Sequence, residues 1–174
     1  MPLGFINEAI IELKNLGVRN YLIPCNTAHA FVDQYLKFEK MHFINMVEET
    51  KRYVEKKYPD KKFMIIGTNG TACSKIYGDY QDNPEASFQQ EIMELITRIK
   101  NKGSLDYCRN KLNDILLALN ARNNNCLFII ACTELSIAIN DYNNNNFNYV
   151  DALDVLAVKA IKSCGYKVNT KGRG

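Results

Sequence analysis

The sequence lacks several features that would assign it to a common functional class. No apolar run reaches the roughly 18 residues that a membrane-spanning helix needs. The first residues also lack the charged and then apolar pattern of a secretory signal. Lysine and arginine are scattered, and the net charge of the 174-residue chain is only +3, which argues against nucleic acid as the main partner. These absences favour a cytoplasmic protein that binds neither a membrane nor a nucleic acid.

The sequence also lacks the cysteine spacing of a disulfide-rich protein. Its six cysteines include no CxxC pair, so they do not form a disulfide framework, and in a reducing compartment they would stay free thiols. Hydrophobic residues make up 47% and charged residues 24% of the chain, which is ordinary for a globular protein. The length allows one compact domain or two small lobes.

Short apolar segments alternate with amphipathic ones along the chain. The apolar segments predict strands at 20–23, 43–46, 62–66, 126–130 and 149–151. The periodic segments predict helices at 5–16, 27–38, 47–58, 87–102, 106–122 and 151–164, with a short helix from about residue 72. We interpret 78–86 and the asparagine runs 123–125 and 143–146 as loops. This alternation predicts an α/β fold with mostly parallel sheet layers flanked by helices.

Polar turns follow three of the predicted strands. These turns are Cys25-Asn26-Thr27, the glycine-bearing segment 67–71, and Cys132-Thr133-Glu134. In parallel α/β sheets, ligands bind where a strand ends and the next helix begins. Backbone N–H groups favour anions at such positions, and threonine and asparagine add further donors. The sequence therefore predicts a site for a carboxylate, with a thiol on each side.

These turns are similar to the motifs of the aspartate/glutamate racemase superfamily, in particular its aspartate racemase branch. The family motif PCNTAH is present in full at 24–29, and the motif GCTEL is present at 131–135 with alanine in place of glycine. The motif GTxGTxxSxxY is present at 67–77, and Val150-Asp151 followed by Leu156-Ala157 resembles a late strand-to-helix passage of the family. The resemblance covers roughly residues 5 to 165.

The resemblance implies two flavodoxin-like lobes, of which the first is incomplete. Family members have a strand, a glycine-rich turn and further elements before the first cysteine motif, whereas this chain begins close to the preceding helix. We expect 1–45 and 148–170 to be a remnant of the first lobe, 46–147 to form the second lobe, and 171–174 to be a tail. The segment between 77 and 88 is short, so we expect the strand after the middle turn to be missing or reduced.

The resemblance also implies a reaction and the residues that perform it. Family members racemise an acidic amino acid, by default aspartate and alternatively glutamate, without a metal or another cofactor. Cys25 and Cys132 would be the two catalytic thiols, one removing the Cα proton and the other delivering one. A helix N-terminus can shift a thiol pKa from its usual value near 8.5 toward neutrality. The expected substrate-binding residues are Asn26, Thr27, Thr68, Thr71, Thr133 and Glu134.

Several residues keep two interpretations at this point. His29 either tunes Cys25 or packs structurally, and a metal site is disfavoured because Cys25 and His29 lack a second such pair. Glu134 either orients the nearby thiol or binds the substrate amine, or it only interacts favourably with a helix N-terminus. Lys100, or Lys102 close by, either contacts substrate or is a solvated lysine. Ser74 is a further auxiliary candidate because it belongs to the middle motif.

Two alternatives to a self-sufficient enzyme also remain. The chain could be an inactive family member that binds carboxylates, because a site that lacks part of the first lobe is open to water and poorly preorganised. It could instead be a subunit that dimerises or gains the missing elements from a complementing chain. An exposed sheet edge would favour such pairing.

Overall fold

The computed structural model describes residues 2–59, 61–78, 81–123, 126–139 and 147–169. Its helices are α1 (Pro2–Asn15), a 3₁₀ helix (Thr27–Gln34), α2 (Met46–Lys57), α3 (Asn69–Ser74), α4 (Ala86–Lys100), α5 (Leu105–Arg122), α6 (Thr133–Ile139) and α7 (Ala152–Ser163). Its strands are β1 (Asn20–Leu22), β2 (His42–Ile44), β3 (Phe63–Gly67), β4 (Gln81–Asp82), β5 (Leu127–Ala131) and β6 (Asn148–Asp151). The runs 124–125 and 143–146 and the tail 171–174 lie outside the described residues.

The strands form two parallel sheets. β1 pairs with β2 in the smaller sheet, and the larger sheet has the order β4-β3-β5-β6. Each of these pairs is parallel, and helices connect the strands. The predicted fold class, α/β with parallel sheets flanked by helices, is therefore confirmed. None of the described helices is long and apolar enough to cross a membrane.

The larger sheet is buried on both faces, which positions its strand ends firmly. Met64 and Ile66 of β3 pack in one apolar cluster, which also contains residues of α4, α5 and α6. Ile65 packs in another cluster on the opposite face, which contains Val47 and Val54 of α2. This alternation is the period of two that a strand imposes on its side chains. Parallel strands covered on both faces have continuous apolar sequences, and β3 and β5 show this pattern.

The structure differs from the predicted elements in three places. The predicted helix at 27–38 is a 3₁₀ helix that ends at Gln34, and its bonds from His29 N to Asn26 O and from Tyr35 N to Val32 O span three residues. The Tyr35 hydroxyl donates to the Ala28 carbonyl within this segment. The predicted loop at 78–86 contains the two-residue strand β4. The spacing of apolar side chains does not distinguish a 3₁₀ helix from an α-helix, and it cannot reveal a strand of two residues.

The third difference concerns the segment 148–170, which the sequence analysis grouped with the first lobe. Strand β6 instead pairs with β5 in the larger sheet. Helix α7 then packs against α2, and its Ala152 and Leu156 share a buried cluster with Ile44 of β2 and with Met46. The segment therefore connects the two sheets. A strand's periodicity does not specify which of two sheets it joins, because that choice depends on long-range pairing.

Candidate active site

The middle and second motifs leave the larger sheet side by side. Gly67, the last residue of β3, is paired with Ala131, the last residue of β5. A Cβ atom added at Gly67 would lie 2.9 Å from the Ala131 carbonyl oxygen, so the close approach of these two strand ends requires glycine. The residues that follow these two strands are Thr68 and Cys132. The predicted site residues of these two motifs therefore start from one sheet edge.

Three threonine hydroxyls join the first motif to the middle motif. Thr27 Oγ1 lies 2.8 Å from Thr68 Oγ1 and 2.9 Å from Thr71 Oγ1, and the latter two are 3.1 Å apart. Thr68 also accepts a hydrogen bond from the backbone N–H of Thr71 and so caps α3. A Cβ atom at Gly70 would lie 2.7 Å from the Thr27 methyl, so glycine at this position makes room for the cluster. Three residues that the sequence predicted for substrate binding are thus in contact.

Asn26 contributes a buried polar group beside this threonine cluster. Its side chain is 3% exposed, and Oδ1 accepts a hydrogen bond of 2.5 Å from the Tyr77 hydroxyl. Among the described residues, Nδ2 has no hydrogen-bond partner. A buried donor without a partner costs on the order of 1–3 kcal/mol, and a bound carboxylate would supply the missing acceptor.

The second motif forms a thiol–carboxylate pair. The thiol of Cys132 donates to Glu134 Oε2 at 3.0 Å, and the hydroxyl of Thr133 donates to the same oxygen at 3.2 Å. Lys100 Nζ lies 3.5 Å from the other carboxylate oxygen. This arrangement brings together four predicted residues, one from the end of α4 and three from the segment that leads from β5 into α6.

The pKa values of this pair are displaced in opposite directions. Burial raises the pKa of Cys132 to about 12, and the hydrogen bond to Glu134 and its charge add to that effect. Burial also raises the pKa of Glu134, but hydrogen bonds from Cys132 and its own backbone N–H, with Lys100 nearby, leave it lowered overall. The expectation that a helix N-terminus brings the thiol pKa toward neutrality is therefore wrong for Cys132. Here the thiol stays protonated and Glu134 is ionised.

The two cysteines have different surroundings. Cys132 is 7% exposed, whereas Cys25 is exposed to solvent. The backbone N–H of Cys25 bonds to the Ile23 carbonyl in a tight turn, which directs the chain away from β1. Water can thus reach Cys25, while Cys132 is shielded and hydrogen-bonded.

His29 anchors the first motif through both ring nitrogens. The backbone N–H of Met46 donates to Nε2 at 3.1 Å, so Nε2 is unprotonated and Nδ1 carries the proton that it donates to the Cys25 carbonyl at 2.9 Å. Burial lowers the pKa of His29, although its bond to Cys25 opposes this, so the ring is neutral. His29 thus positions the backbone of Cys25 against the start of α2. Because both nitrogens are occupied, the ring does not act on the thiol.

Ser74 does not join the other predicted residues. Its hydroxyl donates to the Thr71 carbonyl at 3.2 Å, inside α3. This bond stays within the helix. Within the described ranges, no group of three or more histidine, cysteine, aspartate or glutamate side chains could hold a metal ion.

Two buried polar residues near the site were not assigned to it from the sequence. Tyr77 was noted only as the last position of the middle motif. Asp151 was noted only in the late passage, but it is 5% exposed and its Oδ1 accepts from the Ser136 hydroxyl at 2.8 Å. Ser136 lies in α6, directly after the second cysteine motif. The only sequence signal for Asp151 was its place between a strand and a helix, where it caps α7.

Asp151 is expected to make folding stability depend on pH. Burial raises its pKa from 3.8 to about 6, so the folded protein holds this proton more tightly than the unfolded chain does. The stabilisation is fully present below about pH 3.8 and is lost as the pH rises through about 6. We expect the parent to lose about 2–3 kcal/mol relative to Asp151→Asn between about pH 4 and pH 7. Urea unfolding of both proteins at several pH values measures this, and a constant difference would contradict it.

Comparisons with known proteins assign the chain to a family. The family model described as Asp/Glu/Hydantoin racemase matches residues 5–160. The chain belongs to this family. The resemblance that the motifs indicated at the level of the racemase superfamily is thereby confirmed.

Relatives of this racemase-family chain are found among curated proteins and solved structures. It is 26% identical over 164 residues to the broad-specificity amino-acid racemase RacX of Bacillus subtilis, covering 91% of this chain and 70% of that protein. An aspartate racemase structure from Picrophilus torridus is 25% identical with a TM-score of 0.82, covering 98% of this chain and 72% of that one. A Pyrococcus horikoshii aspartate racemase homologue, 16% identical with a TM-score of 0.76, covers 93% of this chain and 74% of that one and shares the fold.

Proposed function

We propose that this chain racemises an acidic amino acid at its α-carbon, with aspartate as the first candidate and glutamate as the second. The observation that carries the proposal is the donor cluster where the first and middle motifs meet. It consists of three threonine hydroxyls in mutual contact and the unpartnered Nδ2 of Asn26. Such donors suit an α-carboxylate, and they can stabilise the negative charge that develops there when the Cα proton leaves.

Cys25 and Cys132 are the proposed base and acid. A thiolate on one face takes the Cα proton, so that the Cα–H bond breaks, an S–H bond forms and the electron pair moves into the α-carboxylate. The opposite thiol then delivers its proton to the other face and becomes a thiolate. The roles are exchanged for the opposite enantiomer, and the proton count balances without a cofactor.

Glu134 is the proposed proton partner of Cys132. Because burial disfavours the Cys132 thiolate, the direction of reaction that starts with this thiolate needs a group that accepts the thiol proton. The Glu134 carboxylate is ionised and hydrogen-bonded to the thiol, so it is within reach to accept this proton. The transfer is uphill, because the pKa of the thiol is raised and that of Glu134 is lowered. Lys100 lies beside the carboxylate, and its charge favours the ionised form of Glu134.

The choice of an acidic substrate is supported by the solved aspartate racemase of Picrophilus torridus, which is 25% identical to this chain. The Bacillus relative is named as a broad-specificity amino-acid racemase, so neutral amino acids belong in the same assay. A second candidate function is favoured by the exposure of Cys25. In that case the chain binds carboxylates and reacts only when a partner chain or a further segment covers this thiol.

Proton exchange in deuterated water tests the proposal. The purified chain is incubated separately with L-aspartate, L-glutamate and L-alanine, and the Cα proton is followed by NMR. We expect loss of the signal for the acidic substrates and formation of the D-enantiomer. A folded chain that binds aspartate without exchanging its Cα proton would support the second candidate, and one that neither binds nor exchanges would contradict both.

A further inference from the structure

Tyr77 and Asn26 form a buried polar pair that the proposed chemistry has not yet used. The two residues are 51 positions apart in the chain, and the Tyr77 hydroxyl donates to Asn26 Oδ1 at 2.5 Å. Tyr77 is 2% exposed and Asn26 is 3% exposed. The bond connects the end of the middle motif to the residue that follows Cys25. It is therefore a tertiary link between two parts of the candidate site.

The direction of this hydrogen bond decides which end of the Asn26 amide is offered to a ligand. An asparagine side chain has an acceptor oxygen and a donor nitrogen of nearly equal size, so its orientation is set by its partners. Burial, with the charge of Asp151 adding to it, raises the pKa of Tyr77 despite an opposing hydrogen bond with Thr50. The hydroxyl therefore stays protonated, and in the structure it donates to Asn26 Oδ1. Oδ1 then faces Tyr77, and Nδ2 is directed away from it without a partner among the described residues.

The position of the Tyr77 hydroxyl is itself well determined. Its ring packs in the buried cluster that contains Val47, Val54 and Ile65. Its backbone N–H donates to Gln81 Oε1 at 3.3 Å, and Gln81 Nε2 in turn donates to the Ala72 carbonyl at 3.1 Å. Removing only the hydroxyl would leave this packing in place, which makes the hydroxyl testable by itself.

We propose that Tyr77 is a positioning residue that holds the Asn26 amide with its nitrogen toward the substrate α-carboxylate. This inference rests on the proposed function and adds to it the residue that orients the carboxylate contact. Without the Tyr77 hydroxyl, the amide can present its oxygen to the site, where it would repel a carboxylate. The loss is therefore one of substrate affinity more than of the proton-transfer steps.

Tyr77→Phe tests the inference through the separation of KM and kcat. We expect KM for aspartate to rise about tenfold, the effect typical of losing one hydrogen bond to a charged group, and kcat to change much less. Tyr35→Phe is the matched control, because Tyr35 is also buried and its hydroxyl also donates to an oxygen, that of Ala28. This control is expected to keep the parent KM.

The double variant Asn26→Ala with Tyr77→Phe separates positioning from general support of the fold. If Tyr77 acts through Asn26, then Tyr77→Phe should not raise KM further once Asn26 is alanine. An equal rise in KM in both backgrounds, or an unchanged KM in the single variant, would overturn the inference while leaving the racemase activity of the parent intact.

A binding measurement keeps the inference distinct from the proposed function. The side-chain NH₂ signals of Asn26 are identified by their loss in Asn26→Ala and are followed as L-aspartate is added. We expect them to shift in the parent and to require about tenfold more aspartate in Tyr77→Phe. If they shift in this way but the parent exchanges no Cα proton, the proposed function fails and the inference stands. Signals that do not respond to aspartate in the parent would overturn the inference.

Discussion

Replacing Cys25 or Cys132 by alanine is expected to abolish racemisation in both directions. Racemisation needs a proton acceptor on one face of Cα and a donor on the other, and a single thiol supplies only one of them. The remaining thiol can still exchange the proton of one enantiomer, because it can return a deuteron to the face from which it took the proton. We therefore expect the two variants to differ in which enantiomer loses its Cα signal in deuterated water.

Chiral chromatography and NMR of the same samples measure these two effects. Cys73→Ala is the matched control, since Cys73 is an exposed thiol on α3, in the helix that carries Thr71. Its replacement is expected to leave both rates unchanged. Racemisation at the parent rate in either Cys25→Ala or Cys132→Ala would rule out the two-thiol mechanism.

Glu134→Gln is expected to lower kcat by about 10²- to 10⁴-fold, the range that proton transfer by a positioned side chain contributes. Glutamine preserves the shape of the side chain but cannot take a proton from the Cys132 thiol. The loss of kcat, measured at saturating substrate, should be larger in the direction that begins with the Cys132 thiolate. The ratio kcat/KM must fall equally in both directions, because the equilibrium constant of a racemisation is one. The loss of kcat should also become smaller as the pH rises, because the carboxylate helps to raise the thiol pKa and its removal makes the thiolate form at lower pH.

Initial rates for L- and D-aspartate across a range of pH values measure this prediction. Lys100→Met serves as the comparison. Lys100 is 57% exposed and 3.5 Å from Glu134, and such solvated pairs contribute about 0–1 kcal/mol, so a decrease of about fivefold or less is expected. Equal losses of kcat for the two directions, with no dependence on pH, would contradict the assignment of Glu134 as the proton partner of Cys132.

Most of the local structure was accessible from sequence periodicity. The apolar runs that became β3 and β5 lie between helices, and both of their faces are covered, so their patterns are strong and their bounds differ by one residue from those expected. Strand β6 was also recognised as a strand, but its sheet was not, because pairing between distant segments leaves no local pattern. The 3₁₀ helix was missed for a related reason, since its apolar spacing resembles that of an α-helix.

For the candidate site too, the sequence identified residues, whereas their contacts depended on the fold. The motifs identified Cys25, Cys132 and the threonines, because these residue types follow strand ends at which a parallel sheet binds ligands. The contact of Thr27 with Thr71 was not predicted, although both residues were expected to bind substrate. The roles of His29 and Ser74 were open in the sequence, because a side chain's partners depend on which backbone groups the fold brings within reach.

By itself, the sequence determined the parallel α/β class, most of the helices and strands in their order, and the residues of the three polar turns. These follow from local physical chemistry, namely side-chain periodicity and the placement of polar groups at strand ends. Only the tertiary structure decided that Cys132 is buried against Glu134 while Cys25 is exposed, and that the Tyr77 hydroxyl donates to the amide oxygen of Asn26. The burial of Cys132 and the bond between Tyr77 and Asn26 depend on segments that are dozens of residues apart, so no single stretch of the chain contains that information.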